Sequence, residues 1–429
     1  MERLRERTYW ALDALRGRPV GAYYQEVREA YERGVAPQET AEKLDRLLRH
    51  AVDTTAFYRA RFGDGPLRLE AFPVMDKQTY LRNDAACKST AYLHAADNRV
   101  MYTSGSTGTP FAVVQNRDKI LRNTASALFI NSLGGYRLGD RQAFLRVWVR
   151  ACQKSPLRQR MENLFPVDTA GLDDENLARI CAFLRKKRIT SIVGYASSLA
   201  ALAAYIRENR VDMAPCGVRS VIAISEHLPQ PARRLLEEVF RCPVNSQYSN
   251  EENGIMAIQE GGEAYYVDSS SWHIELLKMD TDEPAADGEL GRVVITDLYN
   301  YAMPMIRYDN GDTAVAEHRV DSRSGRYRLY FRELYGRRSD VVYDLAGNPV
   351  SPHAISIQMW GMQDVRQWKF VQRGAQDYCF YLNGGREADA EALRARFSPL
   401  FGANIAVEFV DEIPVLASGK RKYIECLGK

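Results

Sequence analysis

No Cys-x-x-Cys pair occurs in the chain. Cys87, Cys152, Cys181, Cys216, Cys242, Cys379 and Cys426 are scattered, and their number is odd. A zinc ribbon and a thioredoxin-type motif are therefore unsupported, and reduced thiols suit the pattern better than a disulfide framework. Long apolar runs are missing too. The longest, LAALAAYI over 199–206, is far below the ~20 residues a membrane-spanning helix needs. The N-terminal MERLRERTYWALDALRGR carries charges where a signal peptide has its apolar centre. A surplus of one charge sign is also absent: 58 Lys and Arg against 55 Asp and Glu leave +3. Nucleic acid and membrane surface are thus not expected partners. The expectation is a soluble, cytoplasmic protein.

What is present is ordinary globular usage. The 429 residues are 45% hydrophobic and 26% charged, enough for two or three domains with a real core. With 24 Tyr, 15 Phe and 5 Trp, the chain has the apolar area to offset the entropy of ordering.

The first 62 residues read as helical. In ETAEKLDRLLRHAV, Ala41, Leu44, Leu47, Leu48 and Val52 recur at helical spacing. Asp76 is placed to cap a short helix. Strand and helix then alternate: ARICAFLRKKR (helix), ITSIVGY (strand), ASSLAALAAYIREN (helix), VRSVIAIS (strand), PARRLLEEVFR (helix) and VNSQYS (strand). This alternation predicts mostly parallel sheet flanked by helices. From about 261 shorter strands follow, which predicts an antiparallel, barrel-like portion. From about 336, strands near VVYD, KFVQ, YCFYL and AVEFV surround the helix ADAEALRARFSPLF, the make-up of a small α+β domain. The predicted fold class is α/β, with an N-terminal domain over 1–335 and a C-terminal α+β domain over 336–429.

The strongest local signal is Tyr102-Thr103-Ser104-Gly105-Ser106-Thr107-Gly108-Thr109-Pro110. Glycines let the backbone approach an anion, and hydroxyls hold phosphate oxygens. The Lys-Ser/Thr pair of a Walker loop is missing, which counts against an ordinary P-loop enzyme. Four further motifs follow in order: Tyr248-Ser249-Asn250-Glu251-Glu252, Tyr308-Asp309-Asn310-Gly311-Asp312 after Met303-Pro304-Met305-Ile306-Arg307, Gly336-Arg337-Arg338-Ser339-Asp340, and Ser418-Gly419-Lys420-Arg421-Lys422. Taken singly, each has a plainer reading. Asp312 can be a turn residue, Glu252 a helix-start carboxylate, Lys420 part of a solvated basic run and Tyr248 ordinary strand packing.

Taken in order, the set resembles the adenylate-forming superfamily of acyl-CoA synthetases, nonribosomal adenylation domains and luciferases. MPMIRYDNGD and the GYASS at 194–198 resemble its phenylacetate–CoA ligase and capsular-polysaccharide branch. The resemblance implies ATP-dependent activation of a small carboxylic acid as acyl-AMP, with pyrophosphate release and then transfer to CoA. An amine, a hydroxyl or a carrier-protein thiol is the alternative acceptor. It implies that Thr103, Ser104, Gly105, Ser106, Thr107 and Gly108 cradle the ATP phosphates and that Tyr248 stacks on adenine. Asp312 and Arg337 would meet the ribose, while Glu252, with Thr107, would hold Mg²⁺. Asp340 would be the hinge of a mobile C-terminal domain, and Lys420 would reach the carboxylate and α-phosphate. Tyr195, Ala196, Ser197 and Ser225 would line the acyl site. The oligomeric state stays open, a homodimer being one candidate.

The chain departs from the family pattern in three places. Ser249 and Glu251 stand where Gly and Ser or Thr are usual, and Ser339 replaces an acidic residue before Asp340. Gly347 survives where relatives admit the acceptor thiol. Arg146, Arg150, Lys154, Arg158 and Arg160 form a basic stretch, readable as a solvated face or as an attractor for an acidic acceptor or acyl substrate. His227 reads as a loop residue, with a contact to substrate or acceptor as the alternative. Two rivals remain at this point: a phosphotransferase using the Ser/Thr/Gly loop, and a catalytically silent binding protein.

Overall fold

The structure is a computed structural model that describes residues 2–62, 67–103, 111–146, 148, 155–169, 172–259, 264–337, 342–347, 349–350, 355, 359, 362, 364–414 and 422–428. Five strands run parallel: Gln142–Arg146, Leu164–Asp168, Ser191–Tyr195, Ser220–Ile224 and Val244–Asn250. Across the sheet their order is 164–168, 142–146, 191–195, 220–224, 244–250. SIVGY and SVIAI are buried at every position. Strands covered on both faces must be apolar throughout, which is why they read as unbroken runs.

One of the four connections carries the short helix Pro156–Glu162, and the other three carry the helices Asp174–Lys187, Ala196–Glu208 and Gln230–Phe240. Their Leu177, Ile180, Leu184, Leu199, Leu202 and Leu236 share one core with Ala143, Leu145, Ile192, Val221 and Ala223. Each such side chain contributes about 1.5–3 kcal/mol by leaving water. Strand periodicity sends the alternate residues to the other face. There Val193, Tyr195, Ile222 and Ile224 gather with Phe144 and Tyr136. Gly194 has a steric reason: a Cβ there would stand 2.9 Å from Leu145 Cβ and 3.1 Å from its carbonyl oxygen.

At Val244–Asn250 the strand direction changes. The sheet continues antiparallel through Gly254–Gln259, Tyr265–Val267, Tyr327–Arg337, Tyr308–Val320, Leu290–Asp297 and Trp272–Leu277. The barrel-like portion expected from about 261 is therefore an extension of the parallel set, begun by the tight reversal at Glu251–Asn253. Tyr308–Val320 is the central element of this half. It pairs with 290–297 and 327–337 and, in parallel, with the short strand Met75–Asp76. A separate hairpin joins Arg99–Thr103 to Phe111–Gln115.

Most of the expected helices and strands are present. Asp76 caps Lys77–Arg82, its Oδ1 accepting the Thr79 N–H at 2.8 Å. Toward the C-terminus, Ala406–Phe409, Asp377–Gly384, Val365–Gly374 and Ile424–Cys426 make a four-stranded sheet in that order. Phe370, Tyr378, Phe380 and Leu382 of this sheet share a core with Leu393, Phe397 and Phe401 of the helix Glu387–Phe401. Among the described residues no helix is long and apolar enough to cross a membrane.

Candidate functional site

Parallel strands present all their carboxyl ends on one edge, and that edge is where open α/β sheets form crevices. Here the ends are Arg146, Asp168, Tyr195, Ile224 and Asn250. Tyr195, Ala196 and Ser197 follow one strand, Ser225 the next and Glu252 the one after. The expected acyl-site and metal-site residues thus sit on neighbouring strands, about 4.8 Å apart per step.

Tyr195 and Ala196 are buried at the start of the helix Ala196–Glu208. That helix has no capping side chain of its own. Glu226 supplies one from the adjacent strand end, its Oε2 accepting the Ser197 N–H at 2.8 Å. A carboxylate suits a helix N-terminus both as acceptor and by charge. The turn that delivers it is strained. Ser225 has φ 68°, a left-handed conformation that costs a non-glycine residue about 1–2 kcal/mol, and the Glu226 N–H donates back to the Ile224 carbonyl at 2.8 Å.

Two motifs far apart in sequence meet at Tyr248. Its hydroxyl donates to Asp312 Oδ2 at 2.8 Å, and Asn310 Nδ2 donates to both the Tyr248 hydroxyl and Asp312 Oδ2 at 2.7 Å. The Tyr248 ring is buried edge-on against Phe331, centroids 5.9 Å apart. Asp312 is not in a simple turn. Tyr308–Val320 is one strand, and Asp312 has Arg337 as its register partner. The turn chemistry of Asn-Gly is still used locally. Gly311 has φ +84°, its N–H donates to Asp309 Oδ1 at 2.9 Å, and the Asp312 N–H donates to Asn310 Oδ1 at 3.0 Å.

Glu252 lies in the reversal after Asn250 and is only 8% exposed. The Tyr308 hydroxyl donates to its Oε1 at 3.1 Å, and its carbonyl accepts from Gln115 Nε2 at 3.0 Å. Gln115 ends the hairpin strand that leaves the Ser/Thr/Gly loop. The next residue, Asn253, offers its carbonyl to Lys119 Nζ at 2.8 Å, and Lys119 also pairs with buried Asp297. Burial lowers the Lys119 pKa from its ordinary value, with Asp297 opposing.

Arg307, read in sequence only as part of a motif, is a structural linchpin. Its guanidinium meets Glu275 at 3.1 Å and donates to the Phe72 and Glu70 carbonyls at 3.0 and 3.2 Å. Burial raises the Glu275 carboxyl above its usual range, while Arg307 pulls it down. Asp309 pairs with Arg292 at 2.7 Å.

The remaining predicted positions divide simply. Thr103 ends a strand opposite Phe111, and Arg337 ends the strand beside Asp312. Ser104, Gly105, Ser106, Thr107, Gly108, Asp340 and Lys420 lie outside the described residues, as do Arg150 and Lys154. Arg158 is a surface residue paired with Glu162 at 2.7 Å, which matches the solvated-face reading for that position. Among the described residues no group of three or more His, Cys, Asp or Glu forms a ready metal cluster. Tyr308 and Glu226 were missed as site-shaping residues. In sequence Tyr308 is only the first residue of its motif, and a cap supplied from 29 positions away leaves no local pattern.

No protein-family model matches the chain. Protein CapK of Staphylococcus aureus is 22% identical over 339 residues, covering 75% of this chain and 73% of that protein. Among solved structures, 2-hydroxyisobutyryl-CoA ligase in its postadenylation state with R3-HIB-AMP is similar at TM-score 0.69 and 16% identity, over 91% of this chain and 89% of that one. The amide bond synthetase McbA from Marinactinospora thermotolerans is similar at TM-score 0.52 and 17% identity, over 75% and 67%. The α/β fold expected from the strand–helix alternation is the fold of these two solved structures.

Proposed function

We propose that this chain, folded as the adenylate-forming ligases are, activates a small carboxylic acid as its acyl-AMP with release of pyrophosphate. The observation that carries the reading is the Tyr248–Asn310–Asp312 cluster beside Glu252, at the strand ends and tied to the loop-bearing hairpin. It supports the reading because an oriented carboxylate, Asp312, and a buried one, Glu252, are what a ribose and a metal-bound phosphate would need.

A carboxylate is a poor electrophile, because attack adds charge to an anion. Joining it to AMP supplies a leaving group. The step crowds two anions together, so fixed donors and a cation are what the site must provide. In this reading Thr103 to Gly108 present backbone N–H groups and hydroxyls to the phosphates. Asp312 accepts from the ribose hydroxyls, with Arg337 alongside. Tyr248, its hydroxyl held by Asp312, offers its ring to adenine. Lys420 neutralises the carboxylate and α-phosphate in turn. The donor set fits Mg²⁺, which takes one or two protein carboxylates and completes its shell with phosphate oxygens and water. Glu252 would hold it, with Thr107, and the ion would offset phosphate charge.

We place the division at 335/336, with Asp340 as hinge, so that residues 336–429 deliver Lys420 and then move aside. Domain closure of this kind excludes water and assembles a site only when substrates are bound. Tyr195, Ala196, Ser197 and Ser225 would border the acyl group. The acceptor we favour is CoA, since 2-hydroxyisobutyryl-CoA ligase is a solved relative similar over nine-tenths of the chain. An amine is the second reading, favoured by the likeness to an amide bond synthetase. A cytoplasmic setting belongs to the same proposal. It suits thiols such as Cys87 and Cys242, which burial pushes up to about 12.

A carboxylate library in a pyrophosphate-release assay, followed by an acceptor screen of CoA and amines with the best acid, tests this. Acid-dependent pyrophosphate is the expected result. Orthophosphate release, or no nucleotide turnover with any acid, overturns it.

A further inference from the structure

Arg146 closes the strand Gln142–Arg146. Ala143 and Leu145 face the helix-packed core, so Arg146 and Phe144 point to the other face, shared with Val193 and Tyr195. The guanidinium lies over the rings of Phe144 and Trp148, 5.7 and 5.4 Å from their centroids. Trp148 is itself fixed, its indole N–H directed at the Phe144 and Val167 carbonyls at 3.3 and 3.2 Å.

Ring faces hold an arginine without neutralising it. Its Nε is buried and has no hydrogen-bond partner among the described residues. Asp168, its register partner on the neighbouring strand, turns Oδ1 to the Trp148 backbone N–H at 3.3 Å. No ion pair involving Arg146 occurs among the described residues. A permanently charged planar fork, held by aromatic walls and with its Nε unpartnered among the described residues, is suited to a carboxylate.

Position decides which carboxylate. From Val244–Asn250 to Gln142–Arg146 the sheet takes three steps, about 14 Å. The reacting carboxylate belongs at the Glu252 and Tyr248 end, so Arg146 meets the remote end of the acyl group. On this face the intervening strand ends present the Tyr195 ring and the Ile224 side chain, which suit a hydrocarbon body.

We propose that Arg146 recognises a second carboxylate at the far end of the acyl substrate, making this site selective for dicarboxylic over monocarboxylic acids. The inference rests on the acid-activating reading above. Succinate, adipate, suberate and terephthalate, each against butyrate, hexanoate, octanoate or benzoate, are the probes. Two readouts are used on the full chain: calorimetric binding of the acid, and acid-dependent pyrophosphate release.

The diacid should win at one length, with kcat/KM and affinity above those of its monoacid by about 10- to 100-fold, the range of a charge-assisted contact. Arg146→Met should collapse that ratio toward one, and Arg146→Lys should keep part of it. A general loss of structure would lower both acids and leave the ratio standing. The proposal is overturned if monoacids are preferred, if the ratio survives Arg146→Met, or if that substitution instead raises the KM for CoA. Arg146-dependent diacid binding with no pyrophosphate release would keep the subsite and overturn the acid-activating reading alone.

Discussion

Tyr248, Asp312 and His273 show how much a single side chain is asked to do. The Tyr248 hydroxyl spends its proton on Asp312, so it orients the carboxylate proposed to meet the ribose. Tyr248→Phe keeps the buried ring against Phe331 and removes the bond to Asp312 together with the one accepted from Asn310. Loss of a hydrogen bond to a charged group is worth about 1.5–3 kcal/mol at most. Because Asn310 still donates to Asp312, the KM for ATP should rise roughly 5- to 20-fold with kcat less affected. An unchanged KM would place the nucleotide elsewhere.

His273 tests burial rather than catalysis. It lines a cavity with Thr40, Leu44, His318 and Leu329. Burial, assisted by His318 and Arg307 and opposed by Glu70, lowers its pKa from 6.5 to about 4. Below pH 6.5 the unfolded chain takes up a proton that the folded chain refuses. Stability is therefore complete above that pH and falls as pH drops toward 4. The cavity lets water reach one edge of the ring, which reduces the full linkage value to about 1–2 kcal/mol between pH 7 and pH 5. Denaturant titrations at both pH values should show this loss in the native chain and a flatter response in His273→Gln.

Among the elements, those with a strong local period were legible and those decided by neighbours were not. SIVGY and SVIAI declare themselves because both sheet faces are covered. The helix Gln230–Phe240 declares itself by its apolar stripe. Tyr308–Val320 does not. Its Asn-Gly pair suggests a turn, yet strands on either side claim the backbone hydrogen bonds, and the turn survives only as side-chain bonds within an irregular strand. The family resemblance implied Tyr248 and Asp312 as site residues, but their bond to each other depends on sheet order. Glu226 belongs here too, because it caps a helix that begins on another strand. Glu226→Ala should cost about 1 kcal/mol, a fall of roughly 2 °C in Tm for a chain of this size. It should also raise the KM of the acid, since Ser197 loses its anchor. A Tm loss with no change in acid KM would make the cap purely structural.

At the scale of the whole molecule, the α/β class follows from strand–helix alternation, and the C-terminal α+β sheet follows from its own short strands and helix. The junction between the parallel and antiparallel halves was less legible, since a continuous sheet and a separate barrel have the same short-strand signature until pairing is known. The central claim is that positive charge from the C-terminal part completes a site built by the rest. It is tested most directly by trapping the activated acyl group with hydroxylamine, in the native chain and in Lys420→Ala, using the acid that supports the most pyrophosphate release. Hydroxamate should form in step with AMP, and Lys420→Ala should lower its rate by about 100-fold or more, the scale set by removing one charge-stabilising donor. Equal hydroxamate formation in the two proteins would contradict the account.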